Sequence, residues 1–114
     1  VVAEEKEFGL EPFLGLKYPA SDIPKQARAL YLTNVSRAIN DINDQGLAIE
    51  CYLPEKKELD LSYAVFRSVS PVHIQYLQNM GVTATHAISL VIDKVLWGMI
   101  IFHHYSGPKY IDFD

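Results

Sequence analysis

One cysteine, Cys51, is all the 114-residue chain carries. An intrachain disulfide is excluded, as is a cysteine-rich metal site, and a reducing compartment is expected. Long hydrophobic runs are missing too. The longest, Val95 to Phe102, falls well short of the roughly 20 residues a membrane-spanning helix needs. No basic segment followed by an apolar one stands at the N-terminus, so no secretory signal is visible and the cytoplasm is expected. Lys and Arg number 10 against 14 Asp and Glu, for a formal net charge of -4. A mildly acidic chain with no basic stripe predicts no nucleic-acid partner. There is no glycine-rich phosphate loop, HExxH, GxSxG or CxxC, no internal repeat and no low-complexity tract. The domain is therefore not read as an enzyme.

What is present suits one packed domain spanning residues 1–114. The chain is 49% hydrophobic and 21% charged, and its length leaves no room for two domains. Residues 1–7 alternate weakly and read as a strand already under way. Residues 8–21, with Gly9, Pro12, Gly15 and Pro19, read as an irregular loop anchored by Phe13, Leu14 and Leu16. Ser21 or Asp22 is placed to cap a helix from Pro24 to Asn34, with Ala27, Leu30 and Tyr31 on one face. A short strand is expected at 36–41 and a long surface loop at 42–59. Asp60 or Ser62 is read as capping a second helix to about Ser68. Pro71 opens a third, which Gly81 ends. Residues 84–92 and 95–104 flank Asp93-Lys94 and predict a hairpin. The sum is an α+β antiparallel sheet with flanking helices.

His73, Tyr76 and Met80 lie at i, i+3 and i+7 of the third helix and share a face that is apolar in body and polar at its tips. Taken alone, that pattern most often marks a helix packed on a sheet with a satisfied histidine. Arg37 and Arg67 suit carboxylates, either surface acids or those of a ligand. His103-His104 ends a strand with its two rings on opposite faces, a poor metal chelate, and no metal site is expected. His86 has no evident partner.

Together these segments resemble the chromophore-binding GAF domain of the phytochrome family. Tyr18-Pro19-Ala20-Ser21-Asp22-Ile23-Pro24 followed by Gln26-Ala27-Arg28 is similar to its PASDIP helix start. Phe66 to Val82, with Arg67, Pro71, His73, Tyr76, Met80 and Gly81, is similar to its chromophore helix. Leu96-Trp97-Gly98 and His103-His104 are similar to its closing strand. The likeness runs from about residue 1 to 110. It implies a GAF-type sheet incomplete at its N-terminus, trimmed at both ends, lacking a first helix and the strand before Val1.

The resemblance also implies a ligand, a linear tetrapyrrole such as biliverdin, and a reaction, light-driven rotation of one ring. Arg37 and Arg67 match the arginines near one propionate, and Thr85 stands at the other. His73 matches the histidine beside the central pyrroles. Asp22 matches the aspartate whose carbonyl faces the pyrrole N–H groups, with Ile23 beside it. Tyr18, Tyr31, Tyr76 and Met80 match the cage of the rotating ring. His103 matches the histidine that hydrogen-bonds its carbonyl. Upstream PAS and downstream PHY domains, a homodimer and a two-component histidine kinase output are implied as partners.

Three residues depart from the family pattern. Val72 occupies the attachment-cysteine position of plant and cyanobacterial members, and Cys51 matches no attachment site, so covalent bilin is not expected and the chain by itself is expected to hold none. Ala87 replaces a common propionate-binding hydroxyl. His86 puts bulk where the family prefers an apolar residue. Parity adds a constraint. A two-residue turn at Asp93-Lys94 in a regular ladder puts Thr85 and His103 on opposite faces, so a longer turn is predicted. The 42–59 loop corresponds to the family's lasso and is expected to be mobile. An open sheet edge is expected to recruit a second copy. The competing expectation is a pigment-free GAF domain that dimerises and relays signals. A cyclic-nucleotide-binding GAF domain fits the motifs less well.

Overall fold

A computed structural model describes residues 1–50, 52, 59–64 and 67–111. A 3₁₀ turn, Ala20–Asp22, leads into helix α1, Lys25–Thr33, and strand β1, Ser36–Ile39. Helix α2, Pro71–Asn79, follows, and then β2, Ala84–Ile92, and β3, Val95–His104. The three strands form one antiparallel sheet in the order β1-β2-β3. The α+β expectation holds.

Local chemistry explains both helices. Pro24 and Pro71 each stand at a helix start, where the missing N–H costs nothing. The Pro24 and Ser70 carbonyls accept the first-turn bonds from Arg28 and Ile74, both at 3.0 Å. At the far end of α2, Gly81 takes φ +70°, which L side chains rarely adopt. The Gly81 and Val82 N–H groups then turn back to the Gln78 and Leu77 carbonyls at 2.9 and 3.0 Å, closing the helix. This turn seats Val82 beside Leu77. The two are fully buried and, with Ile39 and Ile42, form the hydrophobic cluster that ties α2 to the sheet.

Several expectations are corrected. Residues 1–7 form no strand. Instead the Val1 carbonyl accepts from Gly15 N, and the Glu4 carboxylate accepts from Phe13 N at 2.7 Å and Leu14 N at 3.2 Å. Phe13 is half-buried, but Leu14 and Leu16 are exposed and anchor little. Neither Ser21 nor Asp22 caps α1, because the 3₁₀ turn and Pro24 intervene. The second helix is absent among the described residues of 59–70. Asp60 Oδ1 accepts from Ser62 N at 2.8 Å, and the Leu61 carbonyl from Ala64 N at 2.9 Å, so the polar side chain makes a turn rather than a cap. The expected mobile loop at 42–59 lies partly outside the described residues, at 51 and 53–58.

The hairpin carries the most consequential correction. Asp93 and Lys94 form a two-residue turn, both at positive φ, and Ile92 pairs with Val95. The longer turn that parity predicted is not there. A bulge does its work: Val91 pairs with Leu96, Leu90 with Gly98, and Trp97 is the extra residue. The register slips by one, and Thr85 pairs with His103. A bulge leaves no signature that alternation can detect.

Candidate functional site

The sheet register sorts the candidate residues. Arg37 pairs with Ala87, which pairs with Ile101, while Ile39 pairs with Thr85, which pairs with His103. Residues directly opposite share a face, so Arg37, Thr85, Ala87 and His103 stand on one side of the sheet. Ser36, Ala84, His86, Ile88, Phe102 and His104 stand on the other. His86, a departure from the family pattern, thus faces away from Arg37. Its Nε2 lies 2.7 Å from Ser36 Oγ, and its ring meets Phe102 at 6.1 Å between centroids, so it has the partners the sequence did not reveal. A cavity of about 350 Å³ opens chiefly against this second face, on Ala84, His86, Ile88, Phe102 and His104, and Thr85 and His103 also line it.

On the Arg37 side the cationic groups crowd one another. The Arg37 guanidinium donates to the Arg67 carbonyl at 2.9 Å and to the Ser68 carbonyl at 3.2 Å. Its partners are neutral carbonyls, not the surface acids expected of a simple ion pair. Burial lowers the Arg37 pKa, the nearby Arg67 charge lowers it further, and Tyr31 opposes them. Burial raises Tyr31, against the pull of both arginines. Tyr31, half-buried on α1, thus closes a cluster with β1 and the segment before α2.

His73 and His103 continue this cluster. The His73 ring keeps an open surface yet is crowded enough for burial to lower its pKa, and Arg37 lowers it further. Burial lowers His103 as well, with His73 adding to the effect. Both imidazoles are therefore biased toward the neutral form. His73 stacks on Tyr76, with centroids 6.1 Å apart and planes 10° from parallel, as i and i+3 on a helix allow. Burial raises the Tyr76 phenol, as do Tyr18 and then Asp22. The extended segment before α1 therefore comes close to α2.

The remaining candidates divide. Ile23 is half-buried beside Asp22, which is exposed. Met80 packs on the hydrophobic cluster, so its observed role is core packing. Val72 is 81% exposed on α2 and stands apart from the packed residues. The sequence singled out neither Tyr105 nor Ser89. Tyr105 meets the His103 ring edge-on at 6.5 Å, and its phenol is raised by burial and by Glu4 and Tyr18. Ser89 lies on the Thr85 face, buried, with its hydroxyl unpartnered among the described residues. Strand alternation could have placed Ser89 but could not have shown it to be orphaned.

The chain has clear relatives among known proteins. No family model matches the chain. A bacteriophytochrome of Xanthomonas campestris pv. campestris is 52% identical over 108 residues, covering 93% of this chain. Cyanobacterial phytochrome B of Nostoc is 50% identical over 119 residues. The chromophore-binding domain of Stigmatella aurantiaca phytochrome P1 superposes with a TM-score of 0.93 at 48% identity, over 99% of this chain and 37% of that one. The chain belongs to the phytochrome family. It spans 17% and 15% of the lengths of the Xanthomonas and Nostoc phytochromes. Among the described residues, no helix of this phytochrome relative is long and apolar enough to cross a membrane.

Proposed function

We propose that this chain is the bilin-binding GAF module of a red/far-red light sensor, with biliverdin or a related linear tetrapyrrole as its pigment. The observation that carries the reading is the Arg37–Arg67 pair. Two neighbouring guanidiniums, one of them half-buried and bonded only to carbonyls, are suited to an anionic ligand group, and a propionate is one. The neutral histidines, Tyr31 and Tyr76 flank that pair and suit a flat conjugated body with polar N–H groups.

The bound tetrapyrrole supplies photoisomerisation. The chain's own residues bind and orient. Arg37 and Arg67 would hold a carboxylate, Thr85 would offer a hydroxyl to a second, and His73 would stand beside the central pyrroles. Tyr18, Tyr31 and Tyr76 would surround the ring that turns, with Asp22 and Ile23 beside it. Val72 lacks a thiol, so no covalent bond to the bilin would form at that position. The parent protein is a cytoplasmic sensor with upstream PAS and downstream PHY domains, a homodimer driving a histidine kinase.

Val72 and Ala87 favour a second reading, a pigment-free relay module. Absorbance after mixing with biliverdin separates the two. A sharpened red band, lost in acid urea and leaving no zinc-fluorescent protein band, supports the sensor with a non-covalent pigment. No spectral change, both in this chain and in one extended through the upstream PAS domain, overturns it in favour of the relay.

A further inference from the structure

Both carboxylate oxygens of half-buried Glu4 are engaged by the main chain. Oε1 accepts from Phe13 N at 2.7 Å and Oε2 from Leu14 N at 3.2 Å, across 9 and 10 residues. Those two N–H groups belong to no helix or strand. Pro12 precedes them and Gly15 follows at φ +84°, so the segment cannot satisfy them through a regular ladder. Charge-assisted bonds of this kind are about twice as strong as neutral ones. The loop has two further ties, Gly15 N to the Val1 carbonyl at 3.0 Å and Leu16 N to the Phe13 carbonyl at 2.9 Å. Of the three, Glu4 alone takes the Phe13 N–H.

What Glu4 holds is a wall of the candidate site. The Phe13 ring meets the His103 imidazole edge-on, with centroids 6.3 Å apart and planes at 62°. Tyr105 meets the same imidazole at 6.5 Å and 74°. The two rings differ in how they are secured. Tyr105 follows directly on β3 and packs on the hydrophobic cluster, whereas Phe13 sits on an irregular loop. We propose that Glu4 is a positioning residue of this site: by gripping the Phe13 and Leu14 N–H groups, its carboxylate sets the Phe13 ring against His103 before any ligand arrives.

The consequence for a pigment rests on the bilin reading above. A wall fixed in advance spares the ligand the cost of ordering it, and the gain shows mainly as slower release. Loss of Glu4 would leave Arg37 and Arg67 untouched. The bilin would still bind, but it would escape faster from a pocket whose Phe13 side has slackened.

The wall can be tested without pigment. Proton NMR of the chain is expected to show a nuclear Overhauser effect between the Phe13 and His103 rings. Glu4→Leu removes both acceptors and is expected to abolish it. Glu4→Gln keeps one acceptor oxygen and serves if the leucine variant does not fold. It is expected to weaken the effect and to speed hydrogen exchange at the Phe13 or Leu14 amide by about tenfold. No ring–ring effect in the wild type, an undiminished one in folded Glu4→Leu, or unchanged exchange at both amides in Glu4→Gln overturns the proposal. Biliverdin is then added, and its release is followed through the red band in a double-mutant cycle with Phe13→Leu. Glu4→Leu is expected to speed release by about fivefold in the wild-type background and to add nothing once Phe13 is leucine. An equal effect in both backgrounds would mean that Glu4 supports the fold at large, and overturns its role at the site. Absence of any band from the wild type, in this chain and in one extended through the upstream PAS domain, overturns the bilin reading and leaves the wall decided by the NMR measurement.

Discussion

Thr85 and His103 pair directly across two strands whose connecting turn has only two residues, because Trp97 bulges out of β3 between them and the turn. Trp97 is 68% exposed, so its side chain contributes little burial. Deleting Trp97 leaves Leu90 opposite Gly98 and every pair beyond it unchanged. The deletion is expected to keep the Thr85–His103 pairing and to alter stability by no more than about 1 kcal/mol. Urea denaturation and the His103 ring shifts check this, and loss of the pairing would mean that the bulge, not the residue count, aligns the site.

Arg37 joins β1 to the segment before α2 through two carbonyls. Arg37→Met keeps the stem and removes both donors. Stability is expected to fall by about 1 kcal/mol, and biliverdin affinity by roughly tenfold, measured by denaturant midpoint and pigment titration. Unchanged affinity would remove Arg37 from the binding role.

Gly81 ends α2 at a φ of +70°. Alanine meets no neighbouring atom there but carries the strain of the left-handed conformation. Gly81→Ala is expected to cost about 1 kcal/mol with an unchanged m-value.

Burial holds His73 and His103 below their ordinary pKa of 6.5. Between that value and the depressed folded one, the unfolded chain binds more protons than the native protein. Stability is then complete above pH 6.5 and falls as the pH drops through the window, levelling off below the folded values. Denaturant midpoints measured across this range should show the decline, and His103→Gln should make it shallower.

Val72 is open to solvent one residue before His73. Val72→Cys is expected to convert a releasable bilin into a zinc-fluorescent, acid-urea-resistant adduct. The test is a gel after incubation with a plant- or cyanobacterial-type bilin.

The sequence by itself determined the features that depend on neighbours along the chain. Pro24 and Pro71 start helices because they lack an N–H, Gly81 stops one because it tolerates positive φ, and Asp93-Lys94 turns the apolar runs on either side into a hairpin. It also supplied the family motifs around Asp22 and His73. Tertiary structure decided what depends on distant partners. Asp60 turns onto Ser62 instead of capping a helix, Ser36 reaches His86 across 50 residues, and Arg37 finds the Arg67 carbonyl across 30. Above all, it decided which face His103 takes. Strand alternation has a period of two, so a single bulged residue inverts every expectation beyond it, and where that residue goes is settled by pairing between strands rather than by composition.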